Sequence, residues 1–199
     1  GTFKDRWLLE RDPHRFLEGV FVAAWAVGVD KVFIYLRDEY PGCRALLQHE
    51  LDRLQAQPPV PGLPAVELRR GAGAYVCGEE SAMIESIEGR RGLPRLRPPY
   101  VAERGLFGRP TLVHNVETLF WVREIVERGG DWFAAHGRHG RSGLRCFSVS
   151  GRVASSQRDC ASAARGEARR NRISRAFSTS WRSAPSPTWS GSTASIARW

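Results

Sequence analysis

The sequence predicts an α/β layered domain built on a largely parallel sheet, and three observations carry that prediction. Helix-like and strand-like periodicities alternate up to Val153, a strand of the fully buried type lies between two helical stretches, and a second strand runs directly into a glycine-rich turn. The order helix, strand, helix, strand at this spacing suits parallel strands joined by crossover helices.

Asp12-Pro13 starts the first helix, with Asp at the N-cap and Pro at the first helical position. Phe16, Leu17, Val20, Phe21, Ala24 and Val27 then recur at intervals of three and four, giving an amphipathic helix that ends around Gly28. Val32 to Leu36 is a short apolar strand. Gly42 to Leu54 reads as a second helix, Pro58 to Pro64 as a loop, and Val66-Glu67-Leu68 as a strand leading into Gly71-Ala72-Gly73. Glu79 to Glu88 is expected to be helical, with Ala82, Met83, Ser86 and Ile87 on one side. Arg90 to Gly108 is irregular and rich in Pro, Gly and Arg, a length at which ordered loops tend to be functional or mobile. His114 to Arg128 reads as another helix, its apolar positions being Val116, Leu119, Phe120, Val122, Ile125 and Val126. Leu144 to Val149 alternates as a strand does, and Ser150 to Val153 resembles the start of a second unit.

At 199 residues the chain has room for one domain, or one and a fraction. The hydrophobic fraction of 42% is that of a globular protein, and no apolar run reaches the roughly eighteen residues of a membrane-spanning helix. No signal peptide opens the sequence, and the absence of an initiator Met leads us to expect a true N-terminus upstream. Cys43, Cys77, Cys146 and Cys160 have neither a CxxC nor any other short paired spacing, so neither a zinc site nor a disulfide framework is indicated, and a reducing cytosol is expected.

The formal charge of +9 raises nucleic-acid binding as a rival reading, but the charge is unevenly spread. Residues 154–199 hold eight Arg against Asp159 and Glu167. In that segment Ser, Ala and Arg supply 28 of 46 residues, and Ile173 and Ile196 are the only aliphatic residues larger than Ala. It shows no helical or strand period and is expected not to fold alone. A natural disordered basic tail is one explanation. Out-of-frame translation of a GC-rich gene is favoured, because it accounts for the Trp as well as for 28 Arg against only Lys4 and Lys31 across the chain.

Three segments could carry chemistry. Gly71 to Ser81 follows a strand and opens a helix, so backbone N–H groups can meet an anion and small residues let a planar ligand approach closely. Its spacing is not GxGxxG, and as a bare pattern it is equally a tight turn. Glu79 and Glu80 would repel a phosphate but accept well from ribose hydroxyls or a carboxamide N–H; charge compensation at a helix N-terminus is the commoner role of such a pair. Pro94-Arg95-Leu96-Arg97-Pro98-Pro99-Tyr100 offers two cations for a pyrophosphate and a ring for stacking, or simply a proline-stiffened solvated loop. Asn115, near a helix start, can donate and accept as a flavin requires, or act as a plain cap. His114 and Cys77 read as structural.

Together, GAGAYVCGEESAMIESIEG (71–89), RRGLPRLRPPY (90–100) and GRPTLVHNVETL (108–119), preceded by GTFKDR (1–6), Asp12-Pro13-His14 and Glu18-Gly19, resemble the family of flavin- and NADH-binding subunits of respiratory complex I and its relatives. The similarity runs from residue 1 to about 153. The resemblance implies a Rossmann-like layered FMN-binding domain, incomplete and occupying residues 1–143, then the first strand of a truncated ubiquitin-like β unit at 144–153, then a disordered or out-of-frame tail at 154–199. It also implies that FMN and NAD(H) exchange hydride and that 4Fe-4S clusters relay single electrons.

Carried over by position, Gly78, Glu79 and Glu80 line the flavin and nicotinamide pocket, with Glu80 holding the nicotinamide ribose or amide. Arg97 and Tyr100 touch the nucleotide, standing where complex I members usually have lysine and phenylalanine, and Tyr75 is a pocket wall. Asn115, with Thr118, falls at the flavin contact. No side chain is assigned a catalytic role, because hydride passes between cofactors. His114-Asn115 departs from the usual Asn-Asn, and with Leu119-Phe120-Trp121-Val122 it is more similar to beta subunits of NAD-dependent formate dehydrogenases and diaphorase subunits of NAD-linked hydrogenases.

The implied partners are a thioredoxin-like 2Fe-2S subunit, together with a molybdenum or tungsten formate dehydrogenase alpha subunit, a hydrogenase, or other complex I subunits. No nucleic acid and no membrane insertion are expected. The family's first glycine-rich flavin loop is expected before Gly1 and its four cluster cysteines after the ubiquitin-like unit, so none of the four cysteines here is assigned to a metal. The chain as written is expected neither to hold FMN tightly nor to pass electrons onward. An inert truncated product and a nucleic-acid-binding tail protein are the readings of other classes.

Overall fold

The structure, a computed structural model, describes residues 3–144, residue 146 and residues 193–198. Helices α1 (Phe3–Arg11) and α2 (Pro13–Val27) lead into β1 (Val29–Leu36), followed by α3 (Pro41–Ala56) and β2 (Ala65–Arg70). After a 3-10 turn at Tyr75–Gly78 come α4 (Glu80–Ile87), a second such turn at Leu106–Gly108, β3 (Thr111–Asn115), α5 (Val116–Arg128), α6 (Gly130–Ala134) and β4 (Thr193–Arg198). The four strands form one parallel sheet in the order β2-β1-β4-β3.

Local signals in the sequence set most of these boundaries. Asp12 accepts from the Arg15 backbone N–H, Pro13 opens α2, and Gly28 ends it in the left-handed region at φ 71°. Helix α2 buries Phe16, Leu17, Val20, Phe21 and Ala24, the stripe its spacing predicts. It crosses α5 at Gly19, where a Cβ would stand 1.8 Å from the Leu119 carbonyl oxygen, so only a hydrogen fits.

Alternation along β1 divides the interior in two. Val32, Ile34 and Leu36 point into a large apolar cluster built with α1, α2, α3 and α5. Phe33 and Tyr35 point the other way, into a smaller cluster with Cys77, Met83, Ile84, Ile87, Val101 and Leu106. Because all strands are parallel, β1, β2 and β3 end on one edge of the sheet, at Leu36, Arg70 and Asn115, where ligands of open α/β sheets bind.

Three expectations need correction. His114 does not start a helix: Thr111–Asn115 is a strand, and the helix begins at Val116 with Asn115 as its extended N-cap at φ −85° and ψ 159°. Thr111 and Val113 are β-branched and pack on the sheet, which the helical period of the following residues masks in the sequence. Helix α1 was not anticipated, since its nine residues hold little periodicity and its place rests on burying Leu8 and Leu9. Finally, Thr193–Arg198, six residues of the segment read as lacking any strand period, pair with β1 and β3. A strand between two parallel neighbours draws its hydrogen bonds from their backbones, which demands little of its own hydropathy pattern. The rest of the tail lies outside the described residues, as does the expected strand at 144–149 apart from Leu144 and Cys146, which belong to no strand.

Candidate functional site

The turn after β2 is held from beneath by β1. The Gly71 N–H donates to the Leu36 carbonyl at 2.6 Å, and the Ala72 N–H to the Tyr35 hydroxyl at 2.9 Å. That hydroxyl also shares a hydrogen bond with Ser86 Oγ, 2.9 Å away on α4. Gly73 takes φ 69°, a left-handed conformation that strains any residue with a side chain. The turn that follows leaves Tyr75 97% exposed and buries only Cys77. Together with Tyr35, Arg37 and Glu39, residues Gly71 to Glu79 line an open cleft of about 730 Å³ at the carboxyl edge of the sheet.

The two carboxylates stand where this turn meets α4. Glu79 is the N-cap of α4: its Oε2 accepts from the Ala82 N–H at 2.8 Å and from the Ser81 hydroxyl at 2.5 Å. Burial by itself would raise its pKa, but the Ser81 hydroxyl, the backbone N–H groups of Ala82 and Ser81, and the charge of Arg97 together hold it below the ordinary carboxylate value. Glu80 is the first residue of the helix. Arg97, far along the proline-rich loop, reaches back so that Nη2 lies 2.8 Å from Glu79 Oε1 and 2.6 Å from Glu80 Oε1. Floor and rim therefore meet through two ion pairs.

Arg95 and Arg97, equivalent cations by sequence, behave differently. Arg95 is turned inward, with Nε on Glu85 at 2.5 Å, Nη2 on Glu88 at 2.9 Å and Nη1 on the Gly105 carbonyl at 3.1 Å. Its backbone N–H donates to Ser81 Oγ at 2.8 Å. Between this loop and the 3-10 turn at Leu106 lies a second cleft, of about 620 Å³, bordered by Arg90, Leu96, Arg104 and Phe107.

Of the remaining predicted residues, Gly78 and Tyr75 line the first cleft, whereas Tyr100, Asn115 and Thr118 line neither. Gly78 closes the 3-10 turn. Tyr100 is 57% exposed and donates its backbone N–H to Glu103. Asn115 ends β3 on the same sheet edge, and its Oδ1 accepts the Thr118 N–H at 2.8 Å. His114 beside it has its pKa lowered by burial. Sequence reasoning missed Tyr35, Ser81 and the inward role of Arg95. Strand alternation could have flagged Tyr35, which puts a hydroxyl among apolar neighbours on the face opposite Ile34. Nothing in the sequence pairs Arg95 with Glu85 and Glu88, because an irregular loop sets that approach. Among the described residues no group of three or more His, Cys, Asp or Glu is placed to hold a metal, and no helix is long and apolar enough to cross a membrane.

Residues 1–124 match the family described as the Nuo51 FMN-binding domain. An NADH-quinone oxidoreductase subunit of Aquifex aeolicus (strain VF5) is 42% identical over 160 residues, 77% of this chain and 38% of that protein. Its counterpart in Rhizobium meliloti (strain 1021) is 45% identical over 160 residues, with the same shares. Among solved structures, a chain of the NAD+-reducing [NiFe]-hydrogenase in the H2-reduced state is 50% identical with a TM-score of 0.72, over 77% of this chain and 27% of that one. This chain thus spans 38% of the length of these curated relatives.

Proposed function

We propose, on the premise that this chain belongs to the Nuo51 FMN-binding domain family, as its match over residues 1–124 establishes, that it is part of a larger protein in which FMN and NAD(H) share one cleft. The observation that carries this reading is the double ion pair from Arg97 to Glu79 and Glu80, which joins the glycine turn and the proline-rich loop into one site. When bound, FMN supplies hydride exchange with NAD(H) and single-electron exchange with iron-sulfur clusters of the intact protein.

The residues present suit that pair of ligands. Space is open where a Cβ on Gly73 or Gly78 would stand, so a flat ring system can approach the backbone there. Two carboxylates against one guanidinium leave the floor acidic, which disfavours a phosphate on it but suits ribose hydroxyls and a carboxamide N–H as donors to Glu80. Arg97, 42% exposed at its side chain, can leave its carboxylate partners for a pyrophosphate, freeing acceptor sites for the ribose. Tyr75 and Tyr100 offer exposed rings for stacking. Asn115 keeps its amide N–H2 free to donate toward a flavin while its oxygen caps α5, and Thr118 lies one turn further on. No side chain here needs to move a proton.

The 50% identity to the hydrogenase chain, against 42% and 45% to the two NADH-quinone oxidoreductase chains, favours an NAD-reducing assembly over a respiratory NADH dehydrogenase. In such an assembly a cytoplasmic formate dehydrogenase or hydrogenase partner and a 2Fe-2S protein deliver electrons, and NAD+ receives them. Glu80→Gln or Arg97→Ala in the full-length, flavin-loaded protein should weaken NADH binding about tenfold, the scale of one charge-assisted hydrogen bond, while flavin content stays constant. NADH affinity unchanged by both substitutions, read by equilibrium titration, would overturn the assignment.

A further inference from the structure

We propose that Arg95 is a positioning residue for the nucleotide subsite, fastening the 90–108 loop to α4 so that Arg97 is delivered to Glu79 and Glu80. The inference rests on the shared-cleft reading above and adds to it the residue that sets the rim.

Arg95 is only 26% exposed at its side chain, and although it borders the second cleft, each of its three guanidinium nitrogens has an acceptor within the protein. Three of its bonds run to α4 and its C-cap, at Ser81, Glu85 and Glu88, positions four and three residues apart that lie on one helical face. The fourth reaches the Gly105 carbonyl at the far end of the same loop. Glu88, 6% exposed at its side chain, also accepts the Phe107 N–H at 2.6 Å, so one of the two carboxylates that receive Arg95 holds the returning end of the loop as well. A guanidinium spent in this way cannot neutralise a ligand phosphate.

Ser81 closes the circuit. It is 1% exposed, accepts the Arg95 backbone N–H, and donates its hydroxyl to Glu79, whose other oxygen meets Arg97. The chain thus leaves Ser81 at Arg95 and returns two residues later to the same Glu79 carboxylate. Leu96, between the two arginines, is 91% exposed, so on its N-terminal side Arg97 is held by Arg95, and on its C-terminal side the next buried anchor is Val101, four residues on.

The test is a double-mutant cycle in the flavin-loaded full-length protein, together with hydrogen exchange on this chain alone. Arg95→Ala and Arg97→Ala should each weaken NADH binding about tenfold with flavin retained, and the double variant should be no weaker than Arg97→Ala. Arg95→Lys, which keeps the cation but loses the fork, should fall between wild type and Arg95→Ala. Amides of residues 96–104 should exchange faster in Arg95→Ala than in wild type, and Arg97→Ala should leave those of 90–95 unchanged. Where Arg97→Ala is weakened, wild-type affinity in Arg95→Ala or additive losses in the double variant would overturn the inference, and unaltered exchange in Arg95→Ala would overturn it in every case. An unaffected Arg97→Ala with accelerated exchange in Arg95→Ala would instead remove the shared-cleft reading and leave the clamp standing. If Arg95→Ala does not fold, Arg95→Lys carries the same comparison, and wild-type affinity and exchange there would also overturn the inference.

Discussion

On one face of the sheet Val32, Ile34 and Leu36 meet α1, α2, α3 and α5 in a cluster of twenty buried residues among those described, while on the other Phe33 and Tyr35 belong to a cluster of eight. The larger side is held chiefly by close-packed apolar contact, with the ion pairs Arg15–Glu124 and Arg123–Glu18 joining α2 to α5. The smaller side adds directed bonds: Tyr35 to Ala72 and Ser86, Ser81 to Glu79, and Arg95 to Glu85, Glu88 and Gly105. Apolar burial is non-directional and gives most of the stability, whereas a hydrogen-bonded frame fixes directions. The candidate site lies on the framed side, where direction matters more than cohesion.

The sharpest way to break this contrast is to cut into each cluster. Phe16→Ala, at a fully buried ring of the large cluster, should cost about 3–5 kcal/mol in urea denaturation, whereas Met83→Ala in the small one should cost about 2–3 kcal/mol because its surroundings can close around a thinner core. A Met83→Ala loss equal to or above that of Phe16→Ala would show the two faces to be equally cohesive.

A second prediction concerns the buried acid between α2 and α5. Glu18 is 5% exposed with Arg123 Nε at 2.8 Å, and burial, outweighing that partner, pushes its pKa from 4.5 up to about 7. The folded chain therefore keeps a proton that the unfolded chain releases between pH 4.5 and 7. Stability from this group is complete below pH 4.5 and is lost as pH rises through about 7, on the order of 3 kcal/mol in all. Glu18→Gln should flatten the stability profile across that window, and an unaltered slope would reject burial as its cause.

The smallest effect is expected at Asn115, where cap and proposed ligand contact can be separated. Asn115→Ala should destabilise the chain by about 1 kcal/mol through loss of the bond to the Thr118 N–H. Asn115→Asp should keep the cap and the stability while removing the amide donor, so that flavin retention in the full-length protein falls with stability intact. Equal flavin retention in Asn115→Asp and wild type would reduce Asn115 to a cap.

How much was legible follows the same divide. Helix α2 and strand β1 could be read directly, because a 3.6-residue stripe and a short apolar run are imposed by the large core they face. The segments 71–81 and 94–100 were recognisable as chemistry-bearing, and the structure brings Glu79, Glu80 and Arg97 together. Thr111–Asn115 was misread because five residues beside a strongly periodic helix offer too short a pattern of their own. Strand β4 was invisible for a different reason: its pairing is a matter of backbone geometry supplied by β1 and β3.

By itself the sequence determined the α/β class, both ends of α2, the glycine turn and the identity of the charged residues around it, since propensity, capping and hydrophobic period act within a few residues along the chain. Only the tertiary structure decided that Arg97 turns outward onto two carboxylates while Arg95 turns inward onto two others. Those partners lie 7 to 18 residues away across an irregular loop, and an ion pair at that separation forms only after packing has fixed where both ends stand.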